Sequence, residues 1–249
     1  MIQITSGGKI YDIPADINEL TAEQADTFLT LAMLHDNRWL TREGFRRLWL
    51  SALIGMEDYS ILLPEYIIEL EDQQPKLNGF YMPDGSADLR TTKNILPNYE
   101  GFRGPADNLA GLPFGEFIEA LTVLADMGDD DHYLAANHVA RTLYHIPEDR
   151  QVPVLLTYWA PRLVANVWSM IQAGPVAING ASIDFRIIFR SSGTESRADD
   201  KTGWTGILFE IAEKGLFGPV PEVEKTDMWA ILLYLYKCKF EYNQEIAKK

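Results

Sequence analysis

The C-terminal stretch from Gly203 to Tyr242 constrains the fold most, because it holds two helix candidates joined by a corner rich in glycine and proline. In the first half, apolar residues recur at helical spacing with charged residues between them, which predicts an amphipathic helix ending at Gly215. The corner from Gly215 to Pro221 is predicted to be non-helical, because glycine permits positive φ and proline lacks an N–H donor. A second helix is predicted to start near Thr226 as its N-cap, with Asp227 in the first turn.

This second helix is apolar on nearly every side, so most of its surface should be covered by other protein. It is either the central core helix of the domain or a helix that waits for a partner. It contains no nucleophile–base pair, no metal-ligand spacing and no phosphate loop. Its apolar run consists of Met228, Trp229, Ile231, Leu232, Leu233, Leu235 and Tyr236.

The remainder of the chain shows mostly helical periodicity. Two hairpin signals interrupt it, the alternation on either side of Gly7-Gly8 and the Asn179-Gly180 pair. A capping box of Thr21 and Gln24 marks the start of the first helix. The sequence therefore predicts a mainly α fold, an irregular helical domain or domains with one or two small β-hairpins. Further helices are predicted at 41–53, 64–70, 114–127, 133–145 and 152–171, the last as two pieces with a kink, because it contains Pro153 and Pro161.

Glycine and proline punctuate the stretch between Pro75 and Pro113, which carries scattered aromatic residues. Connections of this length are either functional or linkers. It is either an ordered irregular connection or an arm that orders on a partner. We place the domain boundary here, which divides the chain into an N-terminal hairpin and helical pair (1–75), a connection (76–113) and a C-terminal helical domain (114–249).

Charge excludes several classes of partner. With 22 basic and 36 acidic residues the formal net charge is −14, whereas binding to a phosphate backbone needs clustered Lys and Arg. We therefore expect neither nucleic acid nor a membrane surface as a partner.

Cys238 is the only cysteine, so no intrachain disulfide can form. The N-terminus resembles no signal peptide and no stretch is apolar enough to span a membrane, which predicts a cytoplasmic protein.

Two clusters bring chemically active side chains close together in the sequence, and neither has the order that catalysis needs. The acidic turn Asp129-Asp130-Asp131, with Asp126, His132 and His138, lacks the ligand spacing of a calcium loop, which leaves a surface cation as its functional alternative. His138, Arg141 and His145 share a helical face, but no nucleophile accompanies them. They are expected to be partly buried, hydrogen-bonded side chains. No catalytic residue, metal site or cofactor is predicted.

Both ends of the chain resemble proteins encoded in the tail-gene clusters of bacteriophages and prophages, especially those of Bacteroidetes hosts. The first match is Ile10-Tyr-Asp-Ile-Pro14 followed by Asn18-Glu-Leu-Thr-Ala-Glu-Gln24. The second is Ile211-Ala-Glu-Lys-Gly-Leu-Phe-Gly218 with the helix after Thr226. The resemblance implies a mostly helical tail-assembly chaperone that holds tape-measure helices, helps to recruit tail-tube subunits, and acts in the bacterial cytoplasm or in the virion. It transfers no catalytic residue.

A compatible mechanism uses an apolar groove that takes an amphipathic partner helix, while the acidic surround favours basic flanks. Ordinary core packing is the alternative role of the groove residues, and self-association is a further expectation. The candidates are Trp204, Leu208, Phe217, Trp229, Leu232 and Tyr236.

Three functions stay open at this point. The first is an assembly protein that is absent from mature particles, and the second is a structural ring component of the tail or neck. The third is a metal-dependent enzyme built on residues 126–138.

Overall fold

The computed structural model describes residues 1–6, 8–55, 72–126, 132–178, 180–189 and 203–247. Most of these residues are helical, and the strands among them form three two-stranded antiparallel pairs. The predicted mainly α fold is therefore confirmed, with one short strand pair that the sequence did not predict. The helix predicted at 64–70 lies outside the described residues.

The chain opens with the first predicted hairpin, in which β1 (Ile2–Ser6) pairs antiparallel with β2 (Lys9–Ile13). Ile4 and Ile13 are fully buried or nearly so, whereas Ile10 faces solvent. The alternation of the strands thus places one face of the hairpin on the core and leaves the other exposed.

Two antiparallel helices follow, α1 (Ala22–Asp36) and α2 (Arg42–Leu53), which pack against each other. Thr21 and Gln24 form the predicted capping box: the Thr21 hydroxyl accepts from the Gln24 N–H at 3.2 Å, and the Gln24 side chain accepts from the Thr21 N–H at 3.1 Å. Thr41 caps α2 in the same way through the N–H of its third residue. Both helices therefore begin where the sequence predicts.

The segment 76–113 is an ordered, mostly irregular connection, the first of the two predicted alternatives. It folds back on the helices on both sides of it instead of projecting from them. Leu77, Phe80, Leu96 and Leu109 are buried. Its regular pieces are short: a 3-10 helix (Gln74–Phe80), strands β3 (Asn98–Tyr99) and β4 (Phe102–Arg103), and a second 3-10 turn (Asp107–Leu109).

Asn94 is the polar centre that joins this connection to the helices, and its side chain is buried. Its Oδ1 accepts from the Trp159 indole N–H at 3.0 Å and from the Tyr144 hydroxyl at 3.2 Å. The same oxygen accepts from the Leu96 N–H at 3.1 Å, and its Nδ2 donates to the Pro105 carbonyl at 2.8 Å. A buried amide with this many partners fixes the path of a segment that has little regular structure of its own.

Three helices form the middle of the fold: α3 (Phe114–Ala125), α4 (His132–Tyr144) and α5 (Val154–Ala173). All three pack against one another, and α5 also contacts α1. Ten residues of α5 are buried, which makes it the helix around which the others are arranged.

Pro161 lies inside α5, and the helix continues across it, so the prediction of two helical pieces is wrong. Proline cannot donate to the carbonyl one turn earlier. Arg162 supports the weakened turn: its guanidinium donates to the Tyr158 carbonyl at 2.7 Å and lies 3.7 Å from the centre of the Tyr158 ring. Buried residues in the turns before and after Pro161, such as Ala160 and Leu163, then hold the helix together.

The second predicted hairpin joins α5 to the C-terminal helices. Strand β5 (Val176–Ile178) pairs with β6 (Ala181–Ile183), and Gly180 in the turn has a φ of 81°. Asn179 lies outside the described residues. A single helical turn, α6 (Arg186–Phe189), follows.

The predicted non-helical corner is wrong over its last residues, because a short helix, α8 (Val220–Lys225), follows α7 (Gly203–Glu213). Pro219 occupies the N-cap position and Pro221 the first turn of α8. The first N–H groups of a helix have no intrahelical acceptor, so a proline there costs no hydrogen bond.

The last helix, α9 (Met228–Ala247), is capped by Asp227, not by Thr226 as predicted. The Asp227 Oδ1 accepts from the N–H groups of Trp229 at 2.9 Å and Ala230 at 3.2 Å. Its Oδ2 accepts from the Gly111 N–H at 2.7 Å. Thr226 instead ends α8, where its hydroxyl donates to a carbonyl of that helix.

The buried residues belong to one hydrophobic cluster that draws on all three predicted segments of the chain, whose division at 75 and 113 stays a prediction. Phe28 is at its N-terminal centre, with ring centroids 4.8 Å from Trp49 and 5.5 Å from Phe80. Both α5 and α9 have 20 residues, yet none of the helices in the described ranges is apolar enough over a sufficient length to cross a membrane.

Candidate partner-binding surface

Two of the six predicted partner-binding residues are inside the core. Leu232 has no exposed surface and Leu208 has 8%. Neither can contact a partner while the fold is intact. Trp204 is half-buried, because its ring lies 5.9 Å from Phe114 and 6.1 Å from Trp168, measured between centroids. Leu232, Leu208 and Trp204 therefore pack in or against the core, which was the alternative role given to them in the sequence analysis.

The other three predicted residues are half-buried along the sides of α9. Trp229 donates from its indole N–H to the Asn108 carbonyl at 2.9 Å and packs against Phe185 at 5.8 Å. Tyr236 also packs against Phe185, at 6.1 Å. Phe217 contacts Tyr234 edge-to-face at 5.4 Å. The structure brings Trp229 and Tyr236 together around one ring, but the six residues do not line a common open groove.

The surface that stays apolar and open is the end of α9 beyond Tyr236, residues 237–247, which we call the exposed end of α9. Residues at positions 228, 232, 235, 239, 242 and 246 lie on one face of the helix because they are spaced by three or four. Met228 and Leu232 on this face are fully buried. Tyr242 and Ile246, further along the same face, are each 50% exposed. The apolar face thus continues past the point where the core ends.

Further exposed apolar side chains lie outside this face, elsewhere on α9, on α7 and in the loop after α7. Phe240 is 45% exposed and stacks on Tyr236 with ring centroids 5.9 Å apart. Leu216 is 64% exposed beside Phe217, in the loop that packs against α9. Phe209 on α7 is 57% exposed. The sequence analysis did not include these residues among its candidates, although the spacing of Leu235, Tyr242 and Ile246 is a signal that was readable from the sequence.

Charges lie beside the exposed end of α9 and, at Lys239, on its apolar face. Lys237 and Glu241 pair across one helical turn at 3.8 Å, and the Lys239 ammonium lies 5.4 Å from the centre of the Tyr242 ring. Partial burial, followed by hydrogen bonding with Cys238, raises the pKa of Tyr234 above its usual value. This phenol therefore stays neutral at physiological pH and adds no charge beside the surface.

His138, Arg141 and His145, which were predicted to share a helical face, each contact other residues of the fold. His138 Nε2 lies 2.6 Å from Glu119 Oε1, and His145 Nδ1 lies 3.7 Å from Glu116 Oε1. Burial raises the pKa of Glu116, while His145 acts in the opposite direction. Arg141 donates to the carbonyl of Ile146 and to others in the turn that follows α4. Arg141 thus fastens this turn, and both histidines are more exposed than predicted.

Residues 129–131 lie outside the described residues, so the acidic inter-helix turn expected there and its alternative, a surface cation, both stay predictions. Within the parts of the chain that are described, no three His, Cys, Asp or Glu side chains come together as metal ligands would.

The exposed end of α9 is therefore the candidate that geometry favours, as an apolar helical surface without an assembled set of reactive groups beside it. Such a surface is suited to packing against another helix. The chain matches no protein-family model, no curated protein and no solved structure.

Proposed function

We propose that this chain is a non-enzymatic phage tail-assembly protein that holds an apolar helix of a tape-measure or tail-tube subunit on the exposed end of α9. The resemblance of both chain ends to tail-cluster proteins supports the phage setting. The observation that carries the binding role is the apolar face of α9, which passes from full burial at Leu232 to 50% exposure at Tyr242 and Ile246.

Binding of a helix would bury the remaining area of these side chains. A large apolar side chain gains roughly 1.5–3 kcal/mol on full burial, so the exposed half of each contributes about 1 kcal/mol. Tyr242 and Ile246 together then supply about 2 kcal/mol, whereas a micromolar complex needs about 8 kcal/mol. The partner must therefore cover further surface, for which Leu216 is available beside Phe217, and its hold on this chain is reversible. Reversible binding suits a protein that releases its partner during assembly.

The charge of the chain favours one class of partner helix. At a net charge of −14, long-range attraction favours a partner with basic residues beside its apolar face. In this proposal the complex forms in the bacterial cytoplasm, where tail proteins assemble, and needs no cofactor.

The test is co-expression of the tagged chain with the neighbouring gene products of its native locus, followed by mass spectrometry of the captured complex and of purified particles. We expect capture of a long helical tape-measure protein and absence of this chain from mature particles. Presence in particles at a fixed copy number would instead support a structural ring component.

Matched variants assign the capture to the surface. The double variant Tyr242→Ser with Ile246→Ser replaces two apolar side chains that are already half-exposed to solvent. We therefore expect the protein to stay folded and to capture less of its partner. Ile10→Ser is the control, since Ile10 is an exposed isoleucine on the N-terminal hairpin. Equal capture by both variants would refute binding through α9, and capture of no tail protein by the unaltered chain would refute the function.

A further inference from the structure

A wide depression of about 510 Å³ lies where the end of α1 meets the start of α2. It shares no residue with the exposed end of α9. Its charged members come from both helices and from the connection between them. The lining residues are His35, Asp36, Arg38, Leu40, Thr41 and Arg42.

The depression is cationic in a chain that is otherwise strongly acidic. Its one carboxylate, Asp36, is already engaged, because it accepts from the Tyr158 hydroxyl at 2.7 Å and from Arg162 at 3.1 Å. Arg38 and Arg42 are the cationic groups of the lining. The Asp84 carboxylate lies within electrostatic reach of Arg42, since hydrogen bonds from Ser86 and, to a smaller extent, the charge of Arg42 lower its pKa. A guanidinium carries five N–H donors in a planar fork that matches a carboxylate.

Two contacts with the connection at 76–113 hold Arg42 in position. Its guanidinium donates to the Asp84 carbonyl at 3.0 Å and lies against Gly85, where a Cβ atom would collide with it. Within the described residues the Arg42 guanidinium makes this one hydrogen bond, so its other donors can bind a ligand. His35 lies beside it with a buried Nδ1 that has no hydrogen-bond partner among the described residues.

The backbone at Arg38 presents its neighbour Trp39 to solvent. Arg38 has a φ of 62°, in the left-handed region that glycine usually occupies after a helix. The Trp39 N–H bonds back to the Leu34 carbonyl at 2.9 Å, which closes the end of α1. Trp39 is 81% exposed, more than any other large apolar side chain in the described ranges. An arginine in a glycine position is conformationally costly, which suggests that its side chain has a use there.

We propose that this depression, together with Trp39, is a docking site for an acidic peptide segment of a partner protein. Carboxylates of the segment pair with Arg38 and Arg42, and one of its apolar side chains packs on Trp39 and Leu40. Tryptophan and arginine are the residues most enriched at the energetic centres of protein interfaces. Charge complementarity selects an acidic occupant, since Arg–carboxylate pairs can be bidentate.

The test is fluorescence anisotropy with a short labelled peptide in which Asp and Glu alternate with Leu. Its matched control peptide carries Lys at each acidic position. We expect saturable binding of the acidic peptide that weakens as salt is raised and that changes at Trp39 and Arg42 reduce. The basic peptide can bind the acidic surface elsewhere, so its binding should not respond to those changes. Absence of saturable binding of the acidic peptide, or an equal response of both peptides to the variants, would overturn the proposal.

Three variants and one control locate the site. Trp39→Ala and Arg42→Gln should each weaken binding by roughly tenfold, the loss typical of an interface centre. Arg38→Gly should also weaken binding but leave the melting temperature unchanged or higher, because glycine suits the left-handed backbone. Arg103→Gln, at an exposed arginine on β4, should bind as the unaltered chain does.

Arg38→Gly separates a binding role from a structural one, since loss of binding with retained stability cannot result from unfolding. Unchanged affinity in all three variants would place the peptide elsewhere and overturn the site. Displacement of the peptide by millimolar inorganic phosphate would show that the site binds small anions in general, which contradicts a peptide-docking site. Dimers of the chain that Trp39→Ala abolishes would make a second copy the occupant, which also contradicts the proposal.

Discussion

Substitution of Asn94 by alanine should be among the most destabilising single changes in this chain. Asn94 is 2% exposed, and its side chain forms hydrogen bonds with four groups. The change leaves the Trp159 indole N–H, the Leu96 N–H and the Pro105 carbonyl without their partner, whereas the Tyr144 hydroxyl keeps the Leu96 carbonyl at 2.9 Å. A buried polar group without a partner costs roughly 1–3 kcal/mol. Three such groups predict a loss of about 3–9 kcal/mol in the free energy of unfolding.

Urea unfolding at pH 7, followed by tryptophan fluorescence and far-UV circular dichroism, measures this loss if both signals change together. Asn98→Ala is the control, because Asn98 is an exposed asparagine on β3 and should change stability by less than about 0.5 kcal/mol. A loss below about 1 kcal/mol for Asn94→Ala would show that water replaces the missing partners, and would refute the role given to this residue.

A double-mutant cycle with Trp159→Phe isolates one bond of the network. Phenylalanine removes the indole donor. Asn94→Ala should therefore cost less free energy of unfolding in a chain that already carries Trp159→Phe than in the unaltered chain. Contacting buried residues typically show a coupling of about 0.5–3 kcal/mol. A coupling near zero would mean that the 3.0 Å contact between these side chains contributes nothing to stability.

Two further predictions concern other parts of the fold. Asp227→Ala should lower stability by about 1–2 kcal/mol in urea unfolding, because α9 loses its N-cap. Asp227→Asn should retain the capping part of that stability, since its amide oxygen can still accept from the N–H groups of Trp229 and Ala230, while its amide nitrogen cannot accept from the Gly111 N–H. Equal losses for both variants would contradict the capping role. Burial raises the pKa of Tyr81, Tyr144 and Tyr158. The folded state therefore keeps these protons when the unfolded state releases them, so stability is full below pH 10 and falls above it by about 1.4 kcal/mol per pH unit for each tyrosine. Urea midpoints between pH 8 and 11 measure this fall. Tyr144→Phe should reduce it by about a fifth, because burial also raises the pKa of Tyr99 and of Tyr234; a flat profile would contradict the prediction.

Features that depend on a few neighbouring residues were readable from the sequence. The capping box of Thr21 and Gln24 lies within four residues, and the turn at Gly180 needs only a residue that accepts positive φ. Asn94 shows the opposite case, because its partners Tyr144 and Trp159 are 50 and 65 residues away along the chain. An asparagine in a loop gives no sign of such partners, so the order of the connection at 76–113 could not be decided in advance.

The candidate surface was only partly predictable for the same reason. Helical spacing correctly identified α9 as apolar, but it cannot say where along the helix the core ends. Leu232 is covered because α3 and the segment before it pack on the first turns of α9, while Ile246 has the same spacing and no such cover. The predicted site residues therefore fell on the covered part of the helix, and the exposed part was missed.

The two surfaces proposed here differ in chemistry and in their position on the chain, which makes their tests independent. The exposed end of α9 is apolar and belongs to the last helix, whereas the depression at Arg38 and Arg42 is cationic and belongs to the connection between the first two helices. Changes at Tyr242 and Ile246 should therefore leave binding of the acidic peptide intact. Trp39→Ala should likewise leave capture of the helical partner intact. If either change reduced both activities, the loss would have to come from a change in the fold shared by both surfaces, and neither surface could then be assigned from its own variants alone.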